Sequence, residues 1–237
     1  MVKIDRDLLC EQALLQGVLL DGPMLECFEI TANMMVERNK DINLTAITDP
    51  TDIVIKHFID SLTLSRLLPQ NSFSLIDVGT GAGYPGIPLT IVRRDIRLTL
   101  LDSTNKRLVY LDRLCREIGV QADLVHARAE QAGHQKEMRE IFDVATARGV
   151  ANLPALCELC LPLVRVGGKF IAMKSSEVQA ETAQNAAALL GARHVSTKIC
   201  FLRDNKEIKR NLFVYDKIAK TPLKYPRIYS KIKKQPL

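Results

Sequence analysis

The sequence lacks a long uninterrupted apolar run. Its longest stretch without Asp, Glu, Lys or Arg is the 15 residues from Val78 to Val92, which contain four glycines and two prolines. A membrane-spanning helix needs about 20 apolar residues, so no such helix and no membrane partner are predicted. The first seven residues include two acids and lead into an amphipathic pattern, unlike a secretory signal. We therefore expect a cytoplasmic protein.

A disulfide framework and a metal site are also missing from the pattern. The six cysteines are spread through apolar periodic segments, which predicts reduced thiols in the core. Cys157 and Cys160 form one Cys-x-x-Cys pair, but no second Cys or His pair lies at metal-site spacing. Because leucines share their helical face, core packing is the favoured interpretation and no metal is expected.

Positive charge is concentrated at the C-terminus. The formal net charge is +6, but residues 201–237 carry 11 Lys or Arg against three acids, so the other 200 residues sum to −2. From Lys220 onward, tyrosines alternate with cations, and two prolines oppose a regular helix. This composition suits a phosphate backbone with exposed bases available for stacking. A solvated tail that keeps the protein soluble is the alternative, and composition does not separate the two.

The order of elements predicts an α/β protein with a helical N-terminal extension. Apolar spacing predicts three helices before residue 70, at 7–20, at 23–38 and from just before Pro50. Alternating strands and helices follow, which is typical of a parallel sheet covered on both faces. The predicted strands are 74–78, 97–101, 123–126, 142–146 and 169–173, with helices at 106–118, 152–164 and near 177–190, and a closing hairpin of 193–201 and 211–215. The predicted units are residues 1–70, a sheet domain at 71–218 and a basic tail at 219–237.

A glycine-rich loop, Asp77-Val-Gly-Thr-Gly-Ala-Gly-Tyr-Pro-Gly86, directly follows the first predicted strand. Glycines let the backbone turn tightly and present N–H groups to a ligand, which indicates a nucleotide-like cofactor. Dinucleotide-binding loops require a glycine where this sequence has Tyr84, and that departure disfavours NAD. The spacing Asp-x-Gly-x-Gly-x-Gly instead resembles the first motif of S-adenosylmethionine-dependent methyltransferases, with Gly79 and Gly81 in the loop.

Polar residues also follow the later strands, where open α/β sheets bind ligands. Asp102 could accept hydrogen bonds from two ribose hydroxyls, or cap the next helix. Ala129 and Glu130 could hold adenine, although Glu130 could equally be a first-turn helix acid. Arg148 and Lys174 follow the fourth and fifth strands. Two cations there predict a polyanionic substrate or the carboxylate of the cofactor.

Further motifs occur in order over nearly the whole chain. They are Asn43-Leu-Thr-Ala-Ile-Thr-Asp, His57-Phe-Ile-Asp-Ser-Leu, the glycine loop, Leu101-Asp-Ser-Thr-Asn-Lys-Arg, Arg128-Ala-Glu, Ala147-Arg-Gly-Val-Ala and Leu159-Cys-Leu-Pro-Leu-Val. Together they resemble the bacterial 16S rRNA guanine-N7 methyltransferases, the RsmG or GidB family, and Lys220-Thr-Pro-Leu-Lys-Tyr-Pro-Arg is similar to its Gram-positive branch. The resemblance implies a Rossmann-like methyltransferase fold. It also implies methyl transfer from S-adenosyl-L-methionine to N7 of the guanine conventionally numbered 527.

The resemblance implies cofactor positions at Gly79, Tyr84, Ala129, Glu130 and Arg148. Gly81 and Asp102 are predicted as further cofactor positions, because Gly81 lies in the glycine loop and Asp102 follows a strand. Tyr84 stands where Phe or Leu is common in the family. After Arg227 the tail has Ile-Tyr-Ser in place of the Gly-x-Pro form of many relatives.

Four residues are predicted on the substrate side, because they lie in matched motifs or follow strands: Asn43, His57, Asp60 and Lys174. Simple packing is the alternative for His57. The expected partner is 16S rRNA or the 30S subunit, bound by a monomer through Arg148, Lys174 and the basic tail.

The expected chemistry needs no nucleophilic residue or general base, since guanine N7 carries an in-plane lone pair and no proton. Alignment and electrostatic support would supply the catalysis, in agreement with the lack of a Ser/His/Asp or Cys/His constellation. A nicotinamide-dependent oxidoreductase, an RNA-binding protein with a vestigial fold and a small-molecule methyltransferase are the alternatives. Tyr84 disfavours the oxidoreductase. The intact glycine loop with Asp102 disfavours the vestigial RNA-binding protein, and the basic tail disfavours the small-molecule methyltransferase.

Overall fold

A single seven-stranded sheet organises the chain, which the computed structural model describes at residues 2–175, 179–202 and 208–237. The strands are β1 (Ser74–Val78), β2 (Arg97–Asp102), β3 (Ala122–His126), β4 (Phe142–Arg148), β5 (Val164–Ser175), β6 (Ala192–Leu202) and β7 (Ile208–Lys217). Their order is β3-β2-β1-β4-β5-β7-β6. The first five pair in parallel, and β7 pairs antiparallel with both β5 and β6. The mostly parallel sheet and its closing hairpin are therefore confirmed.

Helices cover both faces of this sheet. Within the described residues they are α1 (Arg6–Leu15), α2 (Gly22–Ile42), α3 (Pro50–Ile53), α4 (Asp60–Leu62), α5 (Gly86–Val92), α6 (Asn105–Glu117), α7 (Ala129–Ala132), α8 (Leu153–Cys160), α9 (Gln184–Leu189) and α10 (Tyr229–Lys234). A π-helical segment, Val54–Ile59, joins α3 to α4. One apolar cluster joins the N-terminal helices, α5 and α6 to the sheet, and a second joins α8, α9 and α10 to its other face. None of the described helices combines the length and apolar character needed to cross a bilayer.

Helix α1 is shorter than predicted. It ends at Leu15 instead of Leu20, because Gly17 adopts a φ of +79° that breaks the helix. The Arg66 side chain then donates hydrogen bonds to the carbonyls of Leu15 and Gln16, which satisfies the end of the helix.

The fourth and fifth strands are longer than predicted. Strand β4 continues to Arg148, so this cation is the last residue of the strand. Strand β5 begins at Val164, because α8 ends at Cys160 and a 3₁₀ turn with Pro162 redirects the chain. The helix predicted near 177–190 is present as a 3₁₀ turn at Ala180–Ala183 followed by α9. Residues 177 and 178 of that prediction lie outside the described residues.

The cysteines are free thiols. Cys157 and Cys160 lie fully buried in the apolar cluster, as their spacing predicted, and burial raises the pKa of Cys157 to about 12. Cys115 is buried as well, whereas the remaining three are only half-buried.

Residues 219–237, predicted as a basic tail, pack against the sheet domain. Tyr225 and Ile232 are buried, and the backbone and guanidinium of Arg227 donate to the buried Glu158 carboxylate of α8 at 2.6–2.8 Å. The prolines do not exclude a helix, because α10 begins beyond Pro226. The segment is therefore a packed part of the structure with an exposed basic face.

Candidate functional site

The glycine loop connects β1 to α5 at the carboxyl edge of the sheet, beside the reversal of strand order between β1 and β4. Ligands of open α/β sheets bind at such a point. Gly79, Gly81 and Gly83 have φ of +69°, +60° and +96°, which L side chains rarely adopt. A Cβ on Gly79 would lie 2.7 Å from Cγ2 of Val150. The conformation and the close approach both require glycine at position 79.

Asp77 lies fully buried beneath this loop. Its Oδ2 accepts hydrogen bonds from Thr80 Oγ1 at 2.8 Å and from the Gly86 N–H at 3.0 Å. Its Oδ1 has no hydrogen-bond partner among the described residues. Burial raises the pKa of Asp77 to about 6, although the two hydrogen bonds oppose the shift. An orphaned buried oxygen of this kind is energetically costly. Asp77 is the first residue of the glycine-loop motif, but it was not predicted as a site residue.

Asp102 joins the glycine loop to the end of β2. Its Oδ2 accepts from the Gly81 N–H at 3.0 Å, and its Oδ1 from the Thr104 N–H at 2.8 Å. The Arg107 guanidinium lies 3.4 Å from Oδ2. Thr104, and not Asp102, is the N-cap residue of α6. Because a carboxylate offers about four lone-pair directions, Asp102 retains capacity for a ligand hydroxyl.

A cavity of about 180 Å³ opens between these elements. Its lining includes Gly79, Asp102, Ala129, Glu130, Val150 and Tyr229. The structure thus brings together four residues that the sequence predicted on three different strand ends. Tyr229 was not predicted, because it reaches the cavity only through the packing of α10.

A second polar cluster lies at the same edge, under the N-terminal helices. Arg148 Nη1 donates to Asp60 Oδ2 and to the Lys56 carbonyl, both at 2.9 Å, and Nη2 lies 3.2 Å from His57 Nδ1. On the other side of Asp60, Arg210 Nε donates to Oδ1 at 2.7 Å. Asp60 is fully buried, so it anchors the two guanidinium groups and does not line an exposed surface. The sequence offered no signal for Arg210.

The His57 ring links this cluster to the glycine loop. It stacks on Tyr84 with ring centroids 4.5 Å apart and planes 15° apart, and Arg148 lies over the Tyr84 ring at 5.2 Å. The Tyr84 hydroxyl donates to Met35 Sδ at 3.1 Å. Burial, reinforced by Arg148, lowers the pKa of His57 to about 3. His57 is therefore neutral near pH 7, and it both packs and takes part in polar contacts.

Asn43 has a backbone role at the end of α2. The helix runs four residues beyond its predicted end, and Asn43 terminates it in the left-handed region with φ of +47°. Its N–H donates to the Asn39 carbonyl at 3.3 Å. Asparagine tolerates this conformation better than most residues. The Asn43 side chain is exposed.

Lys174 lies on the opposite face of the sheet from Arg148. Arg148 pairs with Met173 across β4 and β5, and side chains alternate along a strand, so the next residue points the other way. Lys174 Nζ donates to the Ala151 carbonyl at 2.6 Å, and burial lowers its pKa. Of the four substrate-side candidates, the structure joins His57 and Asp60 to Arg148 and places Asn43 and Lys174 elsewhere.

The strand order with a reversed β7, and the glycine loop beside a strand-end acid, define a Rossmann-like S-adenosylmethionine-dependent methyltransferase fold. Solved structures agree with this class. The 1,6-didemethyltoxoflavin-N1-methyltransferase of Burkholderia thailandensis, solved with S-adenosylhomocysteine, has a TM-score of 0.54 at 14% identity over 84% of this chain and 92% of its own. Precorrin-6y C5,15-methyltransferase from Geobacter metallireducens has a TM-score of 0.52 at 13% identity, covering 67% and 86%.

Sequence comparison identifies the family within this class. The GidB family model, described as rRNA small subunit methyltransferase G, matches residues 24–212. Proteins named ribosomal RNA small subunit methyltransferase G from Acetivibrio thermocellus and Clostridium botulinum are each 42% identical over 234 residues, spanning 98% of this chain and 96% and 98% of theirs. The relative from Geobacillus thermodenitrificans is 42% identical over 95% of this chain and 97% of its own. The chain belongs to the rRNA small subunit methyltransferase G family, which confirms the predicted family.

Proposed function

We propose that the protein transfers a methyl group from S-adenosyl-L-methionine to N7 of guanine 527 in 16S rRNA. The observation that carries the proposal is the cavity in which Gly79, Asp102, Ala129 and Glu130 meet, in a chain of this family. We further propose that the protein acts as a cytoplasmic monomer on 16S rRNA or the 30S subunit.

The residues of the site fit the cofactor. Asp102 has acceptor capacity for a ribose hydroxyl, and Ala129 with Glu130 offers an N–H and a carboxylate for the adenine edge. The orphaned Oδ1 of Asp77 suits the ammonium of the methionine part. When bound, the cofactor supplies a methyl group on a sulfonium that is open to attack by a lone pair.

The protein supplies alignment and electrostatics. Guanine N7 has no proton to remove, so a general base is not required. His57 fits this scheme because it is neutral and both of its ring nitrogens lie within hydrogen-bond distance of neighbours, Arg148 and Thr45. Arg148, held by Asp60, lies over Tyr84 of the glycine loop. Fixed groups of this kind lower a barrier by holding reactants in line.

The reaction is tested by transfer of labelled methyl from S-adenosylmethionine to 30S subunits from cells that lack the activity, with the modified base mapped. Label at N7 of guanine 527 is the expected result. Label elsewhere, or no label despite measurable S-adenosylhomocysteine binding, would contradict the proposed target while leaving the cofactor assignment in place.

Cofactor binding is expected to release protons from Asp77 near pH 6. Its carboxyl has a pKa of about 6 in the free protein, and an ammonium beside Oδ1 would favour the charged form and lower that pKa. Affinity for S-adenosylhomocysteine should then rise from about pH 5 to about pH 7. Calorimetry at pH 6 in buffers of different ionisation enthalpy measures the released protons.

The matched variant is Asp77→Asn, whose amide oxygen can still accept from Thr80 and Gly86. It should bind more weakly at pH 7 and show no proton release. An unchanged proton release in this variant would refute the role of Asp77.

The basic face of α10 is expected to bind RNA. Lys231, Lys233 and Lys234 are exposed on this helix, close to Tyr229 at the cavity. Replacing all three with Ala should weaken 16S rRNA binding roughly tenfold or more and reduce the slope of log affinity against log salt by about 2, since each phosphate contact contributes about 0.7–0.9. Filter binding at several salt concentrations measures both quantities.

Replacement of the same three lysines with Arg preserves the charge and should preserve the slope. S-adenosylhomocysteine affinity should be unchanged in both variants. These variants are preferable to truncation after Ala219, which would also remove the buried Tyr225 and Ile232. An unchanged salt slope in the Ala variant would exclude α10 from the RNA interface.

A further inference from the structure

A hydrogen-bond chain that starts at Arg148 has a fixed direction. A guanidinium can only donate, so His57 Nδ1, 3.2 Å from Arg148 Nη2, must accept. The neutral imidazole then carries its proton on Nε2. That nitrogen lies 3.0 Å from Thr45 Oγ1, to which it donates. The geometry alone therefore fixes both the tautomer of His57 and the acceptor role of Thr45.

The Thr45 oxygen accepts a second hydrogen bond. The Ile47 N–H donates to Oγ1 at 3.0 Å, so the two lone pairs of the hydroxyl are both engaged. Its hydrogen finds no acceptor among the described residues. The Thr45 N–H donates to Asn39 Oδ1 at 2.8 Å, which holds the turn in place. Thr45 is only half-buried, so it presents a directed O–H donor to whatever binds beside it.

Selection of guanine over adenine in the proposed reaction calls for a hydrogen-bond donor of this kind. Both purines carry N7 as an acceptor, so N7 itself does not distinguish them. The neighbouring position does, because guanine has the O6 acceptor where adenine has the N6 amino donor. A fixed hydroxyl donor matches guanine and opposes adenine.

We propose that the Thr45 hydroxyl donates a hydrogen bond to O6 of the target guanine and so selects guanine over adenine. This inference rests on the proposed function. Arg148, through His57, acts as a positioning residue, since it leaves Thr45 no alternative but to donate outward. The carboxylate of the cofactor is the competing acceptor, and the experiment separates the two.

The test uses the full-length protein and 30S subunits whose 16S rRNA carries either guanosine or 2-aminopurine riboside, which keeps N7 and lacks O6, at the target position. Thr45→Val should lower kcat/KM on the guanosine substrate roughly 10- to 100-fold, the usual effect of losing one buried hydrogen bond in a site. Its S-adenosylhomocysteine affinity should not change. On 2-aminopurine, wild type and Thr45→Val should be equally slow.

Two variants serve as controls. Thr45→Ser keeps the hydroxyl and should stay within about threefold of wild type on guanosine, because the loss of a hydrogen bond is avoided. Thr48→Val makes the same chemical change at an exposed position of the same loop and should have no effect.

Three results would overturn the inference. One is a loss of S-adenosylhomocysteine affinity in Thr45→Val, which would assign the hydroxyl to the cofactor carboxylate. Another is an equal loss on both substrates. The third is methylation of guanosine and 2-aminopurine at the same rate by the wild-type protein. This result does not depend on whether any variant folds. Failure of the proposed function is distinct, since wild type would then leave guanosine N7 unlabelled.

Discussion

Asp60→Asn is expected to lower the free energy of unfolding by about 3 kcal/mol and to impair methyl transfer. The Asp60 carboxylate is fully buried between Arg148 and Arg210, at 2.9 and 2.7 Å. Asparagine keeps the shape but removes the charge, and its amide N–H groups would face one of the two guanidinium donors. Breaking a buried pair costs about 3–5 kcal/mol. The lower end applies here because the two arginine side chains are 18% and 21% exposed, so water screens them in part.

Urea-induced unfolding followed by circular dichroism measures this change. The control is Asp112→Asn, which removes an exposed ion pair of similar length, Arg116 Nη2 to Asp112 Oδ2 at 2.8 Å. Exposed pairs are worth about 0–1 kcal/mol, so Asp112→Asn should be nearly neutral. A loss for Asp60→Asn no greater than that of the control would show that Asp60 does not anchor the two arginines.

The cavity beside the glycine loop was largely predictable from the sequence, because the residues predicted there follow strands. Gly79, Asp102, Ala129 and Glu130 each come after a predicted strand, and the carboxyl ends of parallel strands meet at one edge. The topology of the sheet therefore brings these residues close together, although they are far apart in the sequence. Tyr229 has no such constraint, since long-range packing of the C-terminal segment, including the bond from Arg227 to Glu158, brings α10 to the cavity.

The second cluster was less predictable, because it depends on register and on contacts between distant segments. Arg148 and Lys174 both lie at the carboxyl ends of strands, yet the pairing of Arg148 with Met173 puts the two cations on opposite faces. Sequence alternation gives the period of a strand but not its register with a neighbour. Asp60 and Arg210 are 150 residues apart, and no local pattern connects them. The helix ends were missed for local reasons, as at Gly17, where one positive φ stops α1 early.

Gly79→Ala is expected to weaken S-adenosylhomocysteine binding at least tenfold. The backbone at Gly79 has a φ of +69°, and the added Cβ would lie 2.7 Å from Val150 Cγ2. Val150 and Gly79 both line the cavity, so relief of the clash must move either the glycine loop or the wall of the cavity opposite it. A displacement costing only about 1.4 kcal/mol of binding free energy corresponds to tenfold in affinity.

The control for this variant is Gly119→Ala. Gly119 has nearly the same φ, +62°, but a Cβ there would meet no atom within 4 Å. Both substitutions should cost about 1–2 kcal/mol of stability from the left-handed backbone, which thermal unfolding can compare. Only Gly79→Ala should change the calorimetric affinity, because only its clash reaches the cavity. If both variants lost affinity equally, backbone strain and not the contact with Val150 would be responsible. The close approach of Gly79 to Val150 would then have no role in the proposed cofactor site.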